Sequence, residues 1–270
     1  MGDQRPIGIF DSGVGGLTVL KEIRERLPLE PTIYLADLLH FPYGPRYQDE
    51  VRGFAIDIIR YLESRDVKLV VIACNTATAA ALNQARELFE LPIIGVISPG
   101  AQAAVEATRN NRIGVISTEG TMRSQKYLHA IKEIDPMVGV YQKACPELVE
   151  IVEAGEAESP RAERVLRDDL AGIVRLGADT LVLGCTHYPL LKPAITRVYP
   201  GSFALIDSAT TTASKVERHL EHSRLRAADG NPRHEVLVTA VPQRFDEIAA
   251  NLFGEAIEAE EVQIWEPQKT

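Results

Sequence analysis

Short runs rich in isoleucine and valine recur along this chain, and after each the apolar residues return every three or four positions. That alternation constrains the fold more than any other feature. The runs are Ile7–Asp11, Thr32–Ala36, Leu69–Ala73, Ile93–Ile97, Arg112–Ser117, Val138–Gln142, Thr180–Gly184, Phe203–Asp207 and Val236–Ala240. Between them Leu17, Leu20, Ile23 and Leu27 share one helical face, which Pro28 stops. Val51, Phe54, Ala55, Ile58, Ile59 and Leu62 share another, Leu166, Leu170, Ile173 and Val174 a third, and a last helix is expected over Gln243–Leu252. Strands apolar on both faces and separated by helices mean α/β structure with mainly parallel sheet, covered on each side.

The pattern also repeats. "LVVIACNT" (Leu69–Thr76) resembles "TLVLGCTH" (Thr180–His187) at an offset of 111 residues, and "GAQAAVE" (Gly100–Glu106) resembles "TTASKVE" (Thr211–Glu217) at the same offset. "IGIFDSG" (Ile7–Gly13) resembles "IGVISTE" (Ile113–Glu119), offset by 106. Three pairs in one order indicate a duplicated, doubly wound domain, which 270 residues can accommodate. Ligands of such a pair belong between the carboxyl ends of the two sheets.

A formal net charge of −9 argues against a nucleic-acid binder, whose footprint is a basic patch. It does not forbid an anionic small substrate, because backbone N–H groups and helix ends hold carboxylates within acidic proteins. No apolar run approaches the ~18 residues of a membrane span, so no membrane association is expected. The N-terminus has no apolar leader, and three widely spaced cysteines make no disulfide framework. The expectation is a cytoplasmic chain with reduced thiols.

"DSGVGG" (Asp11–Gly16) follows a strand and opens a helix, but Thr18 stands where a dinucleotide fingerprint needs its third glycine. Two readings remain. In one, free N–H groups and Ser12 hold a carboxylate while Asp11 points into a cleft; in the other, the segment is a tight turn with a helix cap. Cys74 and Cys185 each close an apolar strand and precede hydrogen-bonding residues, Asn75-Thr76 and Thr186-His187. A single such cysteine reads as a small buried hydrophobe. Two at equivalent places in facing repeats bring thiols to one cleft from opposite sides. No C-x-x-C supports a metal site, and a Cys–His hydrolase leaves the second thiol unexplained. Opposed thiols suit racemisation at an α-carbon, one sulfur removing a proton and the other returning one to the opposite face. Asp11 and His187 then stand beside the cysteines to assist, and Ser12, Asn75, Thr76 and Thr186 can donate to the substrate carboxylate.

"FDSGVGGLTVL", "FPYG", "ACNTATA", "IGVISTEGT" and "LGCTHYPLL", in that order from Phe10 to Leu191, resemble the motifs of the glutamate racemase family. The resemblance implies two α/β domains related by a pseudo-two-fold, with the active site in the cleft between them. It implies cofactor-independent interconversion of L- and D-glutamate for peptidoglycan, and a homodimer. The cysteine matching Cys74 deprotonates D-glutamate in that family, and the one matching Cys185 deprotonates L-glutamate. Substrate contacts fall on Asp11, Ser12, Tyr43, Gly44, Asn75, Thr76, Thr118, Thr121, Thr186 and His187, and Glu153 resembles a carboxylate near the second cysteine. The implied division is a first domain of residues 1–98 plus about 208–270 and a second of 99–207. Two other readings are a racemase for aspartate or a broader set of amino acids, and an amino-acid-binding protein without turnover.

Leu38, Leu39 and His40 depart from the family pattern and receive no role. Cys145 is expected to be packing, and His40, His129, His219, His222 and His234 surface or capping residues. Trp265 is expected to be packed or at an interface. Thr118 and Thr121 can also cap a helix beginning near Glu119. "GEAESPRAE" (Gly155–Glu163) and "RAADGNPRH" (Arg226–His234) read as loops.

Overall fold

The aliphatic runs become strands that assemble into two separate parallel sheets. The computed structural model describes residues 2–228, 230–240, 245–254 and 256–265. The first half runs β1 (Ile7–Asp11), α1 (Leu17–Arg26), β2 (Thr32–Ala36), α2 (Gln48–Ser64), β3 (Leu69–Ile72), α3 (Asn75–Leu88) and β4 (Ile93–Gly95). The second runs α4 (Ile97–Ala107), β5 (Arg112–Ser117), α5 (Glu119–Ser124), α6 (Lys126–Ile134), β6 (Gly139–Ala144), α7 (Glu147–Glu153), α8 (Pro160–Arg175), β7 (Thr180–Gly184), α9 (Lys192–Val198) and β8 (Ala204–Asp207). The chain ends with α10 (Ser208–Ser223), β9 (His234–Val238), α11 (Phe245–Phe253) and β10 (Glu260–Glu261).

One sheet has the order β10-β9-β2-β1-β3-β4 and the other β6-β5-β7-β8. The four strands β2-β1-β3-β4 and the four strands β6-β5-β7-β8 have the same topology, which is the duplication expressed in three dimensions. In each, the chain leaves the central strand to one side and returns on the other. The switch point therefore lies between β1 and β3, and between β5 and β7. Pairing sets the ends level: Phe10 sits opposite Ile72, and Ser117 opposite Gly184.

Side chains on β1 alternate between two cores, Ile7 and Ile9 packing with α1 and α10, and Phe10 with α2 and α3. Leu17, Leu20 and Ile23 of α1 are wholly buried, each worth about 1.5–3 kcal/mol. The second sheet is covered by α4 and α6 on one face and by α7, α8 and α9 on the other. No helix among the described residues is long and apolar enough to cross a membrane.

Several boundaries differ from the sequence expectation. The run Ile93–Ile97 is strand only to Gly95, and Ile97 already begins α4. An apolar run cannot by itself separate a buried strand from the buried first turn of the next helix. The third run ends at Ile72, leaving Cys74 as the N-cap of α3. The run expected over Val138–Gln142 is strand over Gly139–Ala144, and the ninth begins earlier, at His234. Gln243 and Arg244 of the last expected helix lie outside the described residues, as does Asp229 of the expected loop. Ser159 caps α8 by accepting from the Ala162 N–H at 3.2 Å, so the loop before it is shorter than expected.

Candidate active site

The switch points bring the ends of β1 and β3 towards the ends of β5 and β7, around a cavity of about 670 Å³. Ser12, Tyr43, Gly44 and the run Cys74, Asn75, Thr76 line it from the first sheet. Thr118, Glu153 and the run Cys185, Thr186, His187 line it from the second. Both cysteines therefore open onto one space, each just beyond the third strand of its repeat.

Cys74 caps α3: its Sγ accepts from the Ala77 N–H at 3.4 Å and lies 3.7 Å from Ser12 Oγ. A helix N-terminus favours a thiolate. Here burial dominates, and with the Asp11 carboxylate nearby it pushes the Cys74 thiol up to about 12. Cys74 is a thiol at neutral pH.

Cys185 has different company. His187 Nδ1 lies 3.7 Å from its Sγ, and His187 Nε2 lies 2.6 Å from Glu153 Oε1. Burial works against an imidazolium, but the bonds to Cys185 and Glu153 outweigh it and hold the His187 pKa up to about 10. The ring is thus a cation at neutral pH, clamped between a sulfur and a carboxylate.

Asp11 and Thr121 do not line the cavity. Asp11 is wholly buried and turned into the glycine loop, where its carboxylate accepts from Gly13 N–H at 3.2 Å and Gly16 N–H at 3.0 Å. Thr186 Oγ1 reaches the same carboxylate at 3.4 Å. Burial raises the Asp11 pKa, against the opposing pull of His187 and the loop N–H groups. Thr121 sits behind Thr76 and Thr118 in a triangle of hydroxyls with edges of 2.9, 3.2 and 3.1 Å. Thr118 also caps α5.

The glycines of "DSGVGG" serve close approach. A Cβ on Gly16 would lie 2.3 Å from Asp11 Cβ, and one on Gly15 2.5 Å from Thr186 Oγ1 and 2.6 Å from His187 Nδ1. Gly15 is where the loop of one repeat meets the Cys185–His187 loop of the other.

Sequence reasoning missed part of the wall. Pro146, Val149, Glu150 and Ala154 line the cavity beside Glu153. Val149 and Glu150 share the face of Glu153 on α7 and Pro146 and Ala154 flank that helix, so the helical period counted back from Glu153 identifies the first two. Phe41, Pro42 and Pro45 flank Tyr43, and Phe41 lies with its ring 6.3 Å from that of His187. His40, expected at the surface or as a cap, is half-buried: it stacks on Phe54 at 3.8 Å, meets Trp265 edge-on at 4.5 Å and reaches Asp37 at 3.0 Å. Tyr43 OH and Thr239 Oγ1 donate to the same buried Asp37, so His40 belongs to the support of the cavity wall. Cys145 is packed and 1% exposed.

The Asp/Glu/hydantoin racemase family profile matches residues 15–216. A glutamate racemase of Listeria innocua is 46% identical over 247 residues, covering 91% of this chain and 93% of that one. Among solved structures, a glutamate racemase isoform from Bacillus anthracis superposes with a TM-score of 0.93 at 38% identity, over 97% of this chain and 98% of that one. The Francisella tularensis glutamate racemase in complex with D-glutamate gives a TM-score of 0.91 at 31% identity, with the same coverage.

Proposed function

This chain belongs to the Asp/Glu/hydantoin racemase family and catalyses glutamate racemisation, and we propose that it does so by a two-base transfer between Cys185 and Cys74. The observation that carries the mechanism is the pair of thiols at equivalent strand ends of facing sheets, opening onto one cavity. With L-glutamate bound, the α C–H bond breaks and its proton goes to Cys185 Sγ, beside the His187 imidazolium. The Cys74 S–H then breaks, and its proton goes to the opposite face of the carbanion. D-glutamate runs the exchange in reverse. Asp11 assists at Cys74 and His187 at Cys185, and Glu153 orients His187.

Ser12, Tyr43, Gly44, Thr76, Thr118 and Thr186 contact substrate in this reading, with Thr121 supporting Thr76 and Thr118. Asn75 Nδ2 has particular support: it is buried and has no hydrogen-bond partner, although Asn75 Oδ1 accepts from Tyr127 OH at 2.7 Å. An orphaned buried donor costs about 1–3 kcal/mol, which a substrate carboxylate would offset. The product serves peptidoglycan synthesis in the cytoplasm, a compartment that suits three free cysteines, and the working unit is a homodimer. The domain division that goes with this reading is 1–98 plus about 208–270, and 99–207.

Racemisation in heavy water tests the mechanism. At low conversion the product enantiomer should carry solvent deuterium while recovered substrate keeps its protium, from either direction. Cys74→Ser and Cys185→Ser should each lower racemisation by roughly 10²–10⁴-fold with the fold intact. Equal exchange into substrate and product, or near-normal turnover in either variant, would rule out two bases.

A further inference from the structure

Gln48 touches neither sulfur and does not line the cavity, yet it ties the two halves of the cavity mouth together. It is the first residue of α2, directly after the loop whose Tyr43, Gly44 and Pro45 form one lip. Thr118 and Glu119, at the start of α5, belong to the facing lip. Between them lies Gly120. Its N–H, one of the donors a helix start leaves unpaired, donates to Gly44 O at 2.9 Å. Its carbonyl accepts from Gln48 Nε2 at 3.1 Å. Residues 44 and 48 of the first half thus hold Gly120 of the second from both sides.

The fit depends on glycine. A Cβ on Gly120 would lie 2.8 Å from Gly44 O and 3.0 Å from Thr76 Cγ2, so a side chain there would pry the lips apart. Of the other bonds between the halves, Thr18 Oγ1 to Thr186 O, Thr186 Oγ1 to Asp11 and Tyr127 OH to Asn75 are buried, Thr76 Oγ1 to Thr118 Oγ1 is partly buried, and Arg123 Nη2 to Arg46 O, beside the same mouth, is exposed at 3.4 Å. The Gln48 bond is only partly buried, so water competes with it. A cleft that releases a product between turnovers must part where its bonds are most easily exchanged for water.

We propose that Gln48 is a positioning residue for racemisation: through Gly120 it holds the mouth closed, and so keeps Gly44 and Thr118 against the substrate while the proton moves. The proposal rests on the glutamate reading. It acts on closure rather than on either sulfur, so both enantiomers are affected alike.

The test compares Gln48→Ala, Gln48→Glu, which keeps the shape but removes the donor, and Gln48→Lys, which restores one. KM and kcat are measured from L- and D-glutamate, Kd for D-glutamate by calorimetry, and Tm by thermal melt. Losing one partly exposed hydrogen bond should raise KM and Kd roughly three- to tenfold in the alanine and glutamate variants. The rise should be equal for both enantiomers, with Tm unchanged and recovery in Gln48→Lys. KM and Kd within about twofold of the parent in both donorless variants would overturn the proposal. So would a rise matched by a fall in Tm that Gln48→Lys does not reverse. Kd reads closure without turnover, so a parent that binds glutamate without racemising it would refute the catalytic reading and still leave the latch decided.

Discussion

Gly15→Ala probes the contact that sets the loop carrying Cys185 against the other half. The added methyl would sit 2.5 Å from Thr186 Oγ1, 2.6 Å from His187 Nδ1 and 2.7 Å from His187 Cε1. For the first contact to reach ordinary van der Waals separation near 3.4 Å, the two loops must part by about 0.9 Å. Neither neighbour can simply swing aside. Thr186 is bonded to the buried Asp11, and His187 is clamped between Cys185 and Glu153. The displacement therefore passes to the loop that carries Cys185. A misplacement of about 1 Å in a reacting constellation costs on the order of 10²-fold in rate. Overpacking of this kind costs about 1–3 kcal/mol, which a domain with roughly 5–15 kcal/mol of stability survives. Gly15→Ala should accordingly lose about a hundredfold in kcat while remaining folded. The assay is circular dichroism of glutamate racemised from each enantiomer, with a thermal melt alongside. Gly53→Ala is the control: apart from the adjoining residues and backbone of its own helix, nothing lies within 4 Å of its added methyl. Placed inside α2, that change should gain about 0.5–1 kcal/mol and leave turnover alone. If Gly15→Ala stays within about threefold of the parent kcat, close approach at this loop does not govern Cys185.

The protonated His187 makes a prediction about alkaline stability. Its pKa rises from 6.5 unfolded to about 10 folded, so its contribution is complete below 6.5 and is lost as pH climbs through 10. Across that window the parent Tm should fall more steeply than that of His187→Gln, and parallel slopes would show that the ring is neutral in the fold. Lys68→Met tests a tie remote from the cavity. Lys68 and Glu30 are 0% and 2% exposed, and Lys68 Nζ also donates to the carbonyls of Asp3 and Leu225. Stranding the Glu30 carboxylate should cost about 3–5 kcal/mol in denaturant unfolding, and a loss under about 1 kcal/mol would contradict it.

The strand runs were legible because both faces of a parallel strand are buried, and a continuous aliphatic run has few other uses. Their ends were less so. Val96 and Ile97 are as apolar as the strand before them, yet Val96 is the residue that precedes α4 and Ile97 is its first. His40 was misjudged for a related reason. Nothing in "LLHFPYG" announces that Asp37, Phe54 and the distant Trp265 converge on one imidazole. Glu150 and Val149 were within reach, since helical spacing from Glu153 sets them on the cavity side of α7.

The residue types at the strand ends, their repetition and the family motifs were determined by the sequence alone. They are local properties: a cysteine after a buried strand keeps its place in the topology wherever the other half of the molecule lies. The charge environment of each sulfur was decided only by tertiary structure. Cys74 takes its burial beside the carboxylate of Asp11, and Cys185 takes an imidazolium backed by Glu153. Asp11 was expected to face the cleft but turns into the glycine loop, because Gly13 and Gly16 offer it N–H groups there. Electrostatic environment is a sum over neighbours far apart along the chain, and no single stretch of sequence contains it.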